Sequence, residues 1–353
     1  MLANINAALN EELELINMET RKVQRTGKST FVVSIPKAWA TKNGLQNGSI
    51  IYINQGDRGV LVLSSDRSEK HLKIKLDIGN KSGESLIRDI IACYMAGYKT
   101  MEITSNHMTS TQKKDLRRIV NKLLGPEILE ETINKVVIDD LLSSEELPVE
   151  KALRRIKTLT SSMINDSMTA LLTGDTDLAA DVIQRDNDVD RLNLLISRQF
   201  TEILRYGSIS KENHNPIVAL YYMQAASNLE RIADHALKIS QVTGDHSSSL
   251  PNEIKDELST LKSTFINFID ESISALLQSD SSRANKIIDE VKKAQTRSHI
   301  MANSSKAKDG EEMLVRLVVA SSIERILDYI MNIGELTINL SNSSLDIIEP
   351  KKG

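Results

Sequence analysis

Apolar residues recur at helical spacing over most of the second half of the chain and at alternating spacing over much of the first. The clearest helical stretch is Tyr221–Ser240, where Met223, Ala226, Leu229, Ile232, Ala233, Ala236, Leu237 and Ile239 fall in period. Before it, Leu147-Pro148 opens a pattern that runs to Leu172 through Leu153, Ile156, Leu159, Met163, Ile164, Met168 and Leu171. Thr173-Gly174-Asp175 interrupts it, and Leu178–Tyr206 is helical again. A loop with Gly207 and Pro216 leads into the Tyr221 stretch, which ends near Thr243-Gly244. The pattern then repeats as Ile254–Leu277, Ser282–Met301 and Glu311–Leu340. Leu171-Leu172 before Asp175 corresponds to Leu276-Leu277 before Asp280, and the phrase around Leu229 returns at Ser321–Leu336. A phrase copied at long period marks one unit built twice. Two three-helix units in tandem are expected to pack as a bundle with short connections.

The first half reads differently. Residues 1–16 are expected as a short amphipathic helix through Leu9, Leu13 and Ile16, or as a loose arm. Met18–Gln24 and Ser29–Ile35 alternate and are rich in Val, Thr and Phe, the pattern of strands. Arg25-Thr26-Gly27-Lys28 is the turn between them. Pro36 ends the second strand and opens a helical turn, Lys37–Asn43, at its first position. After a turn at 44–48, Ser49–Asn54 and Val60–Ser64 form a hairpin through Gly56-Asp57-Arg58-Gly59. Past a charged linker, Asp66–Lys70, come a strand over His71–Ile78, a helix over Ser82–Ala96 and a strand over Tyr98–Thr104. A helix over Thr109–Leu124 follows, capped by Ser110 or Thr111 and stopped by Gly125-Pro126. Ile128–Thr132 reads as helical and Lys135–Leu141 as a strand. The expectation is a multidomain α+β chain: an arm at 1–16, a small β domain at 17–65, a small α/β domain at 66–145, and all-α three-helix repeats at 146–246 and 250–348.

Composition sharpens this. With 353 residues and 3% aromatic content, the cores rest on Leu, Ile, Val, Ala and Met, which suits packed helices. A net charge of −4 excludes polyanion binding by bulk charge. Yet between Thr20 and Gly56 lie Arg21, Lys22, Arg25, Lys28, Lys37 and Lys42 and no acidic residue. The one cysteine, Cys93, excludes an intrachain disulfide and a multi-cysteine zinc site. No apolar run is long enough for a membrane span, and the N-terminus lacks a signal-peptide pattern, so a cytoplasmic location is expected. His71 and His107 stand alone and read as surface residues.

The candidate chemistry lies in the helices. Glu230 and Asp234 sit four apart, so both project from one strip of one helix; Asp186 and Asp190 do the same on the preceding helix. Antiparallel neighbours can bring the pairs face to face, where they repel unless cations sit among them. Such oxygen-rich clusters suit Mg²⁺, Mn²⁺, iron or Zn²⁺, with Asn228 and His235 near enough to assist. Glu324 and Asp328 repeat the second pair. Aligning Ala180 with Ala284 puts Glu290 opposite Asp186 but Ala294 opposite Asp190, so the second site lacks one acid. Acids at this spacing also occur on solvated helix faces, and Arg231 and Arg325 offer salt bridges that would make the clusters purely structural.

Two resemblances follow from these residues. RKVQRTGKSTFVVSIPKAWATKNGLQNGSIIYI, with its glycine turn, strand-to-helix junction and GLQNGSIIYI strand, resembles the AbrB/SpoVT family of swapped-hairpin domains. That resemblance implies an interleaved homodimer binding DNA through Arg21, Lys22, Arg25 and Lys28, with Lys37 nearby, and Trp39 packed at the dimer centre. NLERIADHA and its repeat resemble the PhoU family. That resemblance implies a metal-binding regulatory bundle, not an enzyme, with Asp186, Asp190, Glu230, Asp234, Glu290, Glu324 and Asp328 as ligand positions. Together they imply a phosphate-responsive DNA-binding regulator. The alternatives are an adaptor that only dimerises through its head and restrains a phosphate transporter component or its sensor kinase, and a metal-dependent hydrolase.

Overall fold

The computed structural model describes residues 19–55, 60–65, 72–142, 146–206, 215–243, 252–303 and 310–343. The expected arm, the 56–59 turn and the 66–70 linker lie outside them. The chain divides into two compact units, Met1–Glu69 and Lys70–Gly353.

The first unit holds β1 (Gln24–Thr26), β2 (Thr30–Val32), α1 (Lys37–Lys42), β3 (Tyr52–Gln55) and β4 (Leu61–Ser64). β1 and β2 form an antiparallel ribbon with Arg25 opposite Phe31, and β3 pairs with β4. Both leading strands are shorter than expected: their ladder runs only from the Gln24–Val32 pair to the Thr26–Thr30 pair. The turn falls at Gly27, whose φ of 68° is the left-handed conformation glycine adopts without strain. Pro36 precedes α1 as its N-cap residue. α1 buries no residue, and Trp39 is only half-buried. Val23, Phe31, Val33, Ile50, Ile53 and Leu61 are all exposed in this chain.

The second unit begins with β5 (Lys73–Asp77), α2 (Gly83–Met95), β6 (Thr100–Thr104), α3 (Ser110–Asn121), β7 (Pro126–Glu131) and β8 (Lys135–Asp140). The sheet order is β5-β6-β8-β7. β5 and β6 are parallel, and β8 runs antiparallel to both β6 and β7. Leu86, Ile90 and Tyr94 of α2, and Leu116 and Ile119 of α3, cover Met101, Ile103, Val136 and Ile138 of the sheet. Cys93 is buried there. Two expectations change. The α3 cap is Thr109, which forms a capping box with Gln112 and satisfies two terminal N–H groups reciprocally. Ile128–Thr132 is not helical: it falls in β7 and the turn after it, where pairing to β8 with a bulge between Ile128 and Glu130 prevails over a segment too short to nucleate a helix.

Six helices complete the unit: α4 (Val149–Thr173), α5 (Thr176–Tyr206), α6 (Pro216–Gln241), α7 (Asn252–Gln278), α8 (Ser281–Asn303) and α9 (Gly310–Ser343). α4, α5 and α6 pack on one another, as do α7, α8 and α9; α4 also packs on α7 and α6 on α9. First helix meets first and third meets third, the arrangement of two copies related by a pseudo-twofold. Leu229, Ile232, Ala233, Ala236 and Ile239 of α6 are completely buried. Each such leucine or isoleucine contributes about 1.5–3 kcal/mol. The turns between first and second helices fix the register of the copies. Gly174 is left-handed at φ 75° and Ser279 at φ 52°. Asp175 Oδ1 accepts from Leu178 N and Asp280 Oδ1 from Arg283 N, both at 2.9 Å. Asp280 therefore stands where Asp175 stands.

The α/β module is fastened to α5. Arg198 of α5 is buried, forms an ion pair with buried Asp140 at the end of β8, and lies 4.8 Å over the ring of Tyr94. Its Nε meets Glu202 Oε1 at 3.0 Å. Arg191 Nη2 donates to Leu123 O at 3.3 Å, and Tyr94 Oη donates to Leu124 O at 3.0 Å. Leu124 packs against the helical core, and Leu194 of α5 against the core of the module.

Candidate metal centre and basic head

Asp186 and Asp190 come from α5, Glu230 and Asp234 from the helix packed beside it, α6. All four are half-buried. Burial, then the neighbouring charges of Asp190 and Asp234, pushes Asp186 up to about 6, against a pull from Lys122. Burial, then Asp234 and Asp190, pushes Glu230 up to about 7, opposed by Arg231. Asp190 rises for the same reasons, burial first and Asp234 second, with Lys122 opposing. The structure thus brings the two predicted pairs into one electrostatic neighbourhood, as like charges that favour a proton or a cation. Asp186 Oδ1 is buried without a hydrogen-bond partner. An all-oxygen, multiply anionic set with an orphaned oxygen fits a hard divalent cation in chemistry and charge. Among the described residues, however, no group of three or more His, Cys, Asp or Glu side chains is set to hold one ion as it stands.

The expected assistants are engaged elsewhere. Asn228 donates to Gln224 O at 2.9 Å and accepts from Asn332 Nδ2 at 3.4 Å. His235 is buried 6.0 Å from the Tyr329 ring, and burial, then Lys238 and Arg325, lowers its imidazole to about 4. Both therefore belong to the α6–α9 contact. Arg231 lies 5.6 Å over the Tyr329 ring, and among the described residues it forms no ion pair with these acids.

The second copy requires a correction. The matched turns at Asp175 and Asp280 place Val291 at the position of Asp186 and Gln295 at that of Asp190. Glu290 is one residue out of register and exposed, Glu324 is exposed, and Val291 is buried. Gln295 Nε2 donates to Asp328 Oδ1 at 2.8 Å, and Arg325 lies 3.5 Å from Asp328. An amide and a guanidinium fill the roles that a cation would fill in the first copy. Lys122 was not among the expected site residues; it reaches the first copy through long-range packing of the α/β module, which leaves no local signal.

In the head, Arg21, Lys22, Arg25, Lys28 and Lys37 are all exposed. Arg25 donates to Lys28 O across the Gly27 turn, which holds these two cations at the tip of the ribbon, and Arg21 pairs with Glu19.

Comparison with known proteins decides the family. The PhoU domain profile matches residues 153–243 and 258–337, the two helical copies. The helical region belongs to the PhoU family. The profile described as antidote-toxin recognition MazE, bacterial antitoxin, matches residues 24–71, so the PhoU-type region follows an N-terminal domain of the MazE/AbrB swapped-hairpin type. The chain is 25% identical over 211 residues to the phosphate-specific transport system accessory protein PhoU homolog 1 of Thermotoga maritima, covering 57% of this chain and 90% of that one. It is 26% identical over 186 residues to the accessory protein PhoU of Serratia marcescens, covering 50% and 74%. The crystal structure of PhoU from Pseudomonas aeruginosa matches with TM-score 0.47 and 23% identity, over 57% of this chain and 99% of that one. PhoU proteins are regulatory accessory proteins, not enzymes. Among the described residues, no helix is long and apolar enough to cross a membrane.

Proposed function

We propose that this protein regulates phosphate uptake as a homodimer whose N-terminal domain binds DNA and whose PhoU-type helices respond to a cation, to phosphate status or to a partner. The observation that carries this reading is the joining, in one chain, of a PhoU-type region with a head whose cations and apolar strands are both exposed. Phe31, Ile50, Ile53 and Leu61 suit burial against a second copy, and Arg21, Lys22, Arg25, Lys28 and Lys37 suit phosphate backbones. The relatives' names point to phosphate transport. A transporter component or its sensor kinase is the expected protein partner. Asp186, Asp190, Glu230 and Asp234 would hold the cation, and that cation would supply the positive charge that the raised pKa values of Asp186, Asp190 and Glu230 call for.

The exposed apolar strands also favour the second reading, in which the head only dimerises an adaptor. The test is phosphate uptake in source cells lacking the gene, complemented with wild type or with Arg25→Ala/Lys28→Ala. Failure of the variant to restore regulation supports the DNA-binding regulator. Full complementation supports the adaptor instead.

A further inference from the structure

We infer that the seam between α6 and α9 is an oxyanion site for phosphate, free or as a phosphoryl group, built from Arg231, His235 and Lys238 on α6 and Arg325 on α9. The inference gives the phosphate-status part of the proposed function a place on the molecule. It rests on that part alone, and neither on the acidic site nor on the head.

The argument starts from how the two helices cross. Asn228 Oδ1 accepts from Asn332 Nδ2 at 3.4 Å. Further along α6, the Arg231 guanidinium lies 5.6 Å and the His235 ring 6.0 Å from the ring of Tyr329. Residue numbers rise along α6 as they fall along α9, so the helices run antiparallel. Equivalent residues of the repeated phrase meet at the crossing: in ERIADH and ERILDY, His235 corresponds to Tyr329 and Arg231 to Arg325. The pseudo-twofold that lays Arg231 over Tyr329 directs Arg325 toward His235 from the other side. Residues three and four apart share a helix face. Asn228, Arg231, His235 and Lys238 therefore form one row, facing Arg325, Tyr329 and Asn332.

These two rows carry three cations and no acid. Arg231, Lys238 and Arg325 are exposed, and among the described residues Arg231 and Lys238 form no ion pair. Arg325 lies 3.5 Å from Asp328, with its side chain 61% exposed, so one long contact leaves it donors to spare. Asp328 itself accepts from Gln295 of α8. Glu335, about one turn past Asn332, is an exposed acid, so the basic surface spans only the crossing and suits a small anion. A second observation points to a ligand. His235 is 8% exposed, and its Nδ1 is buried without a hydrogen bond. A buried nitrogen without a partner is costly. An oxyanion drawn in by the surrounding cations would supply that partner, with Nδ1–H donating to it. Two arginines approaching from opposite sides suit a tetrahedral anion, because each guanidinium offers parallel N–H donors to its oxygens.

The test is the phosphorus NMR line width of inorganic phosphate, and separately of phenyl phosphate, titrated with the full chain in EDTA, where the acidic site holds no cation. Wild type, Arg231→Gln/Arg325→Gln, Lys238→Gln and Arg25→Ala/Lys28→Ala are compared. Wild type is expected to broaden the signal. Broadening of phosphate assigns the free ion, and broadening of phenyl phosphate alone assigns the esterified group. The arginine double variant is expected to bind at least about tenfold more weakly, as lost hydrogen bonds to a charged group require. Lys238→Gln is expected to bind about threefold more weakly, and by less as salt screens the charge. The head variant is expected to match wild type. Absence of broadening by wild type overturns the site, as does binding by the arginine double variant within twofold of wild type. Loss of binding in the head variant places the anion on the head and also overturns it. If the double variant fails to fold, Lys238→Gln carries the test, and binding equal to wild type at low salt overturns the site. Each of these failures leaves the cation reading of the acids and the DNA-binding reading of the head intact.

Discussion

Replacing Arg198 by alanine should loosen the α/β module from the helices by about 3–5 kcal/mol, the range for removing one partner of a buried ion pair. The structure accounts for that size. Asp140 and Arg198 are 2% and 4% exposed, so neither charge is recovered by water when the other is removed. Burial already pushes the Asp140 carboxyl up, with Arg198 as the charge that offsets it. Leu142 N–H would remain to Asp140, at 3.0 Å, a partial compensation that favours the lower end of the range. The lost stacking over Tyr94 adds about 1 kcal/mol. Asp140→Asn should cost less, because Arg198 keeps Glu202 and the Tyr94 ring. A chain of several modules does not unfold in two states. The assay is therefore native-state hydrogen exchange, read at the Asp140 amide bonded to Lys99 O and the Leu141 amide bonded to Gly125 O. Both amides should exchange at least a hundredfold faster in Arg198→Ala, the factor corresponding to about 3 kcal/mol. Unchanged exchange at both would refute the reasoning and leave the fastening to Leu124, Leu194 and the Arg191–Leu123 hydrogen bond.

Three further outcomes are expected. The raised values of Asp186, about 6, and Glu230, about 7, lie above those of an unfolded chain. Their contribution is thus fully present below about pH 4 and lost as pH rises through 6 to 7. Discounted for partial exposure, the loss is about 1–2 kcal/mol. Metal-free protein should melt a few degrees lower at pH 8 than at pH 5.5, and Asp186→Asn/Glu230→Gln should flatten that slope in a scanning calorimeter. Ser279→Gly should raise the melting temperature by relieving about 1 kcal/mol of left-handed backbone strain, whereas Gly174→Ser should lower it. Gln295→Ala removes the amide that holds Asp328 and should cost about 1 kcal/mol in thermal unfolding.

How much of this the sequence discloses depends on the range of the contact. The doubled helical unit is legible because ERIADH and ERILDY repeat both the buried stripe and the acids. The register of the second site is legible too, but only from the turn. Matching Asp175 to Asp280 gives Val291 and Gln295, whereas matching Ala180 to Ala284 slips by one residue and promotes Glu290. Pro126–Glu131 is too short for periodicity to separate strand from helix, and its pairing with β8 settles the matter. The gathering of Asp186, Asp190, Glu230 and Asp234 follows from helix packing that the spacing suggests. The approach of Lys122 and the Asp140–Arg198 pair join residues separated by more than fifty positions, and no local pattern encodes them.

The central claim is that the head reads DNA while the PhoU-type helices carry the signal. It is tested most directly by fluorescence anisotropy of the full chain on DNA fragments from its own source across a salt series, beside Arg25→Ala/Lys28→Ala. Each phosphate contact contributes about −0.9 to the slope of log K against log salt. A dimer that loses two contacts per protomer should therefore lose about 3–4 units of slope along with most of its affinity. A steep wild-type slope that flattens in the variant is the predicted result. Absence of binding at low salt, or identical slopes for the two proteins, would contradict the account.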